Sequence, residues 1–373
     1  MSREHMALTL PVLFLSLDPA AIPTSQELDG ILCAPERLHE LHTLREATLA
    51  LKGVAALAYK ALVPPDAFPE MWPRLYLWIT FLRTYWDVIP ARMAFNETEA
   101  YSVYSCIILA IAHHPRTSAL IQGVPGLRTI LVRWWAILLD NGGVVPDEGG
   151  VAPPDGWLDI CGILVVLGTD LVDTRNLEEI LDEAGGKRAM SFLLHKHIDI
   201  ALARPPSPGR TETIARGIQF IYWMEDEEGL LDTMLLSHGF VGTLVKAIPV
   251  LRAGEIGHKL SEKGLMSVYQ CFQHPKSDPW IIQALQAGLL GVMISLGTSA
   301  KERPLGVGNF HIVLDGLLQQ ILPGSLIYYQ VACQMKISFP ATRYLASAPA
   351  FRESAIYQSW KLFEIMSSGV LLG

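Results

Sequence analysis

"MWPRLYLWITFLRTYWDVIP", residues 71–90, places three Trp and two Tyr in twenty positions. Three readings compete for it: an aromatic ligand cage, a membrane segment, or a helix packed on two sides. Leu75, Trp78, Ile79, Leu82, Trp86 and Ile89 fall at the spacing of one helix face. A second row, Leu77, Phe81, Thr84 and Val88, is also mostly apolar, which leaves Thr80, Arg83 and Asp87 as a polar strip. Pro73 suits a first helical turn and Pro90 stops the helix. A surface helix carries one apolar stripe, so two rows predict a helix sandwiched between neighbours. Arg74, Arg83 and Asp87 interrupt any membrane span. A cage needs exposed, convergent aromatics, and Trp and Tyr serve more commonly as core payload. The stretch reads as an inner helix of a layered helical protein.

The same grammar recurs along the chain. "GLRTILVRWWAILL" from Gly126 and "GFVGTLVKAIPVLR" from Gly239 align without gaps, 113 residues apart (239 minus 126). Leu131-Val132-Arg133 then matches Leu244-Val245-Lys246, and Leu138 matches Leu251. That separation is close to three units of the ~40-residue armadillo or HEAT repeat. Further helices are expected at 100–112, 157–167, 177–184, 188–203, 213–223, 262–272, 280–296, 311–321, 325–335 and 353–366. Strand-like alternation is scarce. The expected fold is all-α, an armadillo/HEAT-like right-handed helical solenoid with degenerate repeats, because stacked two- and three-helix units bury helices on both sides. Residues 1–373 are expected to form a single elongated helical-repeat domain. Exposed loops are expected at 140–156, 204–210 and 298–309, where turn residues replace hydrophobic periodicity.

Composition narrows the function classes. The chain has 29 basic and 37 acidic residues, a formal charge of -8, and no basic run longer than Lys187-Arg188. Such a surface has no excess positive charge to displace the counterions of nucleic acid. Half of the residues are hydrophobic and 18% are charged, so buried helix surface is extensive. No apolar run reaches the ~18 to 20 residues of a spanning helix; the nearest, Leu285 to Leu296, is bounded by Gln283 and by Thr298, Lys301 and Glu302. "MALTLPVLFLSL" near the N-terminus has the length of a signal-peptide core, but Glu4, Pro11 and Asp18-Pro19 stand against that reading. Cys33, Cys106, Cys161, Cys271 and Cys333 are odd in number and widely spaced, which suits thiols in a reducing compartment, cytoplasmic or nuclear. Asn96-Glu97-Thr98 matches a glycosylation sequon, which has no meaning in such a compartment.

"WPRLYLWITFLRTYW", "HHPRTSALIQGVPGLRTILVRWW" and "YQSWKLFEIMSSG" resemble a family of uncharacterised proteins of mushroom-forming fungi (basidiomycetes). These carry a long armadillo-like helical region commonly followed by a MYND-type zinc finger. The similarity runs through most of the chain, but its motifs are packing motifs. The finger itself is absent from residues 1–373, which contain no Cys-x-x-Cys, so the family's zinc does not carry over.

The remaining chemical candidates are weak. His195 and His197 have the spacing of some metal sites, yet diverge on a helix and lack a Cys or acidic partner at useful spacing. His113-His114 before Pro115 reads as a helix end. Glu225, Asp226, Glu227 and Glu228 could hold a divalent cation or open a helix. "GVGNF" at 306 and "GGKR" at 185 lack the rest of a phosphate loop. No catalytic residue, cofactor or metal ligand is therefore expected. The expected function is a protein- or peptide-binding scaffold, with Arg83, Arg133, Trp135 and Lys246 as candidate groove or surface residues. Neither a nucleic-acid nor a membrane partner is expected. The alternative is an all-helical, metal-dependent enzyme of the terpene-cyclase type that would use the acidic run 225–228. That class needs a second Asn/Ser/Glu triad downstream, which "QCFQHPKSDPW" and "SLGTSAKERP" do not supply.

Overall fold

The computed structural model describes residues 3–34, 37, 41–89, 96–114, 116–122, 124–141, 160–162, 164, 175–224, 239–251, 254–299 and 310–372. Every regular element among them is helical. The chain divides into two compact units, Met1–Gly186 and Lys187–Gly373. The boundary falls at Gly185-Gly186, two glycines with φ of 88° and 94°, and at none of the three loops expected from the sequence.

The first unit begins with α1 (Arg3–Ser16), which carries Pro11 within it, and α2 (Ser25–Leu32). Thr24 starts α2 through a reciprocal cap: its hydroxyl accepts from the Glu27 N–H, and the Glu27 carboxylate accepts from the Thr24 N–H at 2.8 Å. Next come α3 (His42–Tyr59), α4 (Phe68–Thr84) and α5 (Glu97–Ala112). Asn96 caps α5, its side-chain oxygen accepting from the Glu99 N–H at 2.8 Å, so the residue of the sequon match works as a helix start. The unit closes with α6 (Leu127–Asp140) and α7 (Arg175–Ala184). Packing runs α1 on α3, α3 on α5, α5 on α6 and α6 on α7.

The opening stretch occupies α4, with a different register at both ends. The helix starts at Phe68 with Pro69 in its first turn, so Pro73 sits in the second turn. It ends at Thr84, five residues before the described chain breaks off at Ile89. Phe68, Met71, Trp72, Leu75, Trp78, Ile79 and Leu82 form one buried stripe, and Phe81 joins it. The second row does not hold: Leu77 is 45% exposed, Val88 is 51% exposed and Thr84 is exposed. α4 is thus an amphipathic helix of the ordinary kind. The sandwiched helix is α6, between α5 and α7, whose buried residues include both Trp134 and Trp135.

The second unit contains α8 (Lys187–Ala203), α9 (Pro208–Met224), α10 (Phe240–Ala247) with a 3-10 extension over Ile248–Leu251, and α11 (Gly254–Phe272). It continues with α12 (Asp278–Gln286), α13 (Leu289–Ser299) and α14 (Phe310–Gly316), which runs on through a π-helical segment, Leu317–Ile321. The last helices are α15 (Tyr329–Ser347) and α16 (Tyr357–Leu372). The single helix expected over 280–296 is two, bent by 69° where Gly288 takes a φ of 95°. No single helix among the described residues is long and apolar enough to cross a membrane. Helices α8, α10, α12 and α15 pack each on the next, and α9 and α11 pack on each other behind them. Of the expected loops, 204–210 joins α8 to α9 and is already helical from Pro208. Residues 142–156 and 300–309 and the acidic run 225–228 lie outside the described residues.

The internal match found in the sequence has a structural counterpart. Shifting α5 by 113 gives 210–225, against 208–224 observed for α9, and shifting α6 gives 240–253, against 240–251 for α10 and its extension. Gly126 and Gly239 are both the N-cap of their helix, with φ of 80° and 94°. This left-handed conformation strains any residue with a Cβ, which is why both positions read Gly.

Candidate functional site

The first unit carries two adjoining pockets at the C-terminal end of α4, of about 410 and 310 Å³, and Arg83 lines both. The polar strip of the opening stretch supplies their rim: Thr80 and Arg83 face the first, Arg83 and Asp87 the second. Gly126 forms the floor of the first pocket, and side chains from two other helices hold its peptide groups. Its N–H donates to the Glu179 carboxylate of α7 at 2.6 Å, and its carbonyl accepts from Arg83 Nη1 at 3.2 Å and Thr129 Oγ1 at 2.6 Å. Glu179 also pairs with Arg128, a guanidinium only 2% exposed, at 3.4 Å. A Cβ on Gly126 would lie 3.2 Å from Arg83 Nη1. Gly126→Ala is therefore expected to cost about 1 to 2 kcal/mol from the left-handed backbone alone, with displacement of Arg83 adding to it. Denaturant melts check this: an unchanged midpoint would mean that Gly126 is not held in that conformation.

The second pocket is lined by Trp86, Asp87, Glu97, Tyr101, Tyr104, Arg133 and Glu183 around Arg83. Arg133 donates twice to Glu97 Oε1, from Nε at 3.1 Å and Nη2 at 2.9 Å. That hydrogen bond is the main reason the guanidinium pKa is held above its ordinary value. Arg83 Nη2 lies 4.0 Å from Glu183. Burial raises the Tyr101 phenol above its usual range, and Tyr104, deeper in the wall, is raised further by the same cause. Both phenols are protonated at neutral pH.

In the second unit a pocket of about 300 Å³ occupies the corresponding place between α8, α10 and α12. His195, Asp199, Gly239, Thr243, Lys246, Gln283 and Gln286 line it. His195 stands beside Gly239 as Arg83 stands beside Gly126: a Cβ on Gly239 would lie 3.2 Å from its ring. Its ring also meets Phe240 edge-on, and burial lowers its pKa. Beyond Gln286 the polar surface continues onto α15, where Gln334 accepts from the Gln286 amide at 3.4 Å.

Of the four residues expected to bind, Arg83 and Arg133 line one pocket and Lys246 lines its counterpart. Trp135 does not reach the surface; it is fully buried in α6 between two helices. The sequence placed Trp86 on the buried row, but α4 ends before it, so the helical period no longer applies and the indole turns into the pocket half-exposed. Tyr101, Glu183 and His195 were not expected as pocket residues, since each reaches its pocket only through packing of separate helices, and Asp87 was read only as part of the polar strip. His195 and His197 do diverge: His197 is wholly buried with Nε2 3.3 Å from the Thr213 carbonyl oxygen. Among the described residues no three His, Cys, Asp or Glu side chains converge as a metal site. No protein-family model, curated protein or solved structure matches the chain.

Proposed function

We propose that the chain is a protein- or peptide-binding scaffold whose helices stack as a degenerate armadillo/HEAT-like solenoid and whose polar pockets receive a partner segment. One observation carries this reading. The same construction occurs twice, 113 residues apart: a left-handed glycine starts a helix, a cationic residue sits seven positions later, and pockets open beside them, one beside each residue in the first unit and one shared by both in the second. Here the repeated parts are groove parts as well as packing parts, and repeat arrays use such surfaces to hold extended ligands. The family resemblance of the sequence carries the same expectation. All five cysteines are free thiols, which supports work in a reducing compartment, cytoplasmic or nuclear.

The test is selection of short peptides from a random library against the full chain, followed by affinity measurement of the enriched sequences. Enriched peptides should weaken by about tenfold, 1.4 kcal/mol, on Trp86→Ala or on Lys246→Ala. Failure to enrich any sequence, or binding indifferent to both substitutions, would overturn the scaffold reading.

A further inference from the structure

Charge is distributed unevenly between the two units. Residues 1–186 hold 12 basic and 23 acidic residues, a net of -11, whereas residues 187–373 hold 17 and 14, a net of +3. The pocket around Trp86 therefore lies in the field of a strongly acidic unit, and such a field raises the local concentration of cations.

The internal pairing of the pocket points the same way. Its two guanidiniums are already engaged by protein acceptors. Arg133 commits Nε and Nη2 to Glu97, and Arg83 commits Nη1 to the Gly126 carbonyl. A carboxylate or phosphate seeking a fork on Arg133 would have to break the Arg133–Glu97 pair, and one approaching Arg83 would have to displace Glu183. The carboxylates are less satisfied. Asp87 is exposed and makes no ion pair among the described residues, and Glu183 meets Arg83 only at 4.0 Å. Beside these acids stand the half-buried rings of Trp86 and Tyr101. Indole and phenol faces attract a cation through the ring quadrupole, and Trp does so most strongly. One unpaired and one loosely paired carboxylate beside aromatic faces form a receptor for a guanidinium or an ammonium group.

We propose that this pocket of the first unit accepts an arginine or lysine side chain from a basic segment of the partner. The inference rests on the scaffold reading and adds the chemical class of what is held. The cation stacks on Trp86 and Tyr101, and Asp87 and Glu183 neutralise it. Arg83 remains on Gly126, so entry of the ligand leaves the floor of the groove intact.

Three labelled peptides of equal length, glycine alternating with arginine, glutamate or glutamine, would be titrated into the full chain by fluorescence anisotropy. The arginine peptide should bind at least about tenfold more tightly than the other two. The double variant Asp87→Asn/Glu183→Gln should weaken it by about tenfold, and Trp86→Ala should weaken it further. Trp86→Phe keeps an aromatic face and should recover part of the binding, which separates stacking from loss of fold. The control is Glu46→Gln/Glu70→Gln, which removes two exposed acids of the same unit away from the pocket and should change affinity by less than about twofold. If the control weakens binding as much as the pocket variant, attraction is to the unit's overall charge and the proposed site is wrong. Preference for the glutamate or glutamine peptide, with loss on Arg83→Ala, would overturn the cation class and leave the scaffold reading standing. Binding of none of the three would overturn the cation proposal, and the library selection decides the scaffold separately.

Discussion

Trp78→Ala is expected to lower the stability of the first unit by about 3 to 5 kcal/mol, the range for deleting a large buried aromatic. The ring is fully buried in the apolar stripe of α4 and meets Phe81 edge-on at 6.0 Å. Its indole N–H is buried without a hydrogen-bond partner. Leaving such a donor unpaired carries a cost, so Trp78→Phe removes a penalty while it opens a smaller void. The phenylalanine variant should lose only about 1 kcal/mol. Arg83→Ala, which removes one of several hydrogen bonds to the Gly126 carbonyl and leaves the core intact, should cost about 1 kcal/mol at most. Denaturant melts of the three variants check the ranking. Equal, small shifts for Trp78→Ala and Arg83→Ala would mean that the α4 stripe is peripheral.

The second large effect concerns acid. His197 is wholly buried in the second unit, and burial pulls its pKa from the ordinary 6.5 down to about 4, outweighing the hydrogen bond to the Thr213 carbonyl. Below about pH 6.5 the unfolded chain takes up a proton that the folded unit refuses until about pH 4. Stability from this residue is thus complete above pH 6.5, falls as the pH drops towards 4, and levels off below it. The total loss is about 3 kcal/mol, at about 1.4 kcal/mol per pKa unit. His197→Gln abolishes the titration, so its stability should decline less than that of the wild type between about pH 6.5 and 4. Urea melts across that window measure the difference. Parallel curves for the two proteins would show that the imidazole is not held neutral.

How far the sequence could be read is clear from particular residues. Gly126 and Gly239 were legible as equivalents because a left-handed N-cap narrows the choice of residue to glycine, and the structure places both in that conformation. The stripe of α4 was legible through Trp78 and Leu82, since its periodicity is local. The end of α4 was not. Trp86 and Ile89 continue the spacing, and nothing in a hydrophobic count reveals that the chain has turned at Tyr85. For the same reason Trp134 and Trp135, adjacent and therefore on different faces, gave no sign that α5 and α7 would cover both. The pockets were the least legible part. Arg83 and Arg133 could be singled out as charges on apolar helices, and Asp87 shares the polar strip of Arg83, but Tyr101 and Glu183 join them from two other helices. Such meetings are decided by helix packing, and no short motif encodes them.

The peptide group between Pro125 and Gly126 has a consequence for observation. N–H groups at the start of a helix commonly face water and exchange their hydrogen freely. This one is held by Glu179, a side chain from α7, some fifty residues further along the chain. Its exchange with solvent therefore requires the carboxylate to let go, so a single backbone amide reports how firmly a side chain of the first unit's last helix grips the start of α6, readable in the intact protein without a label.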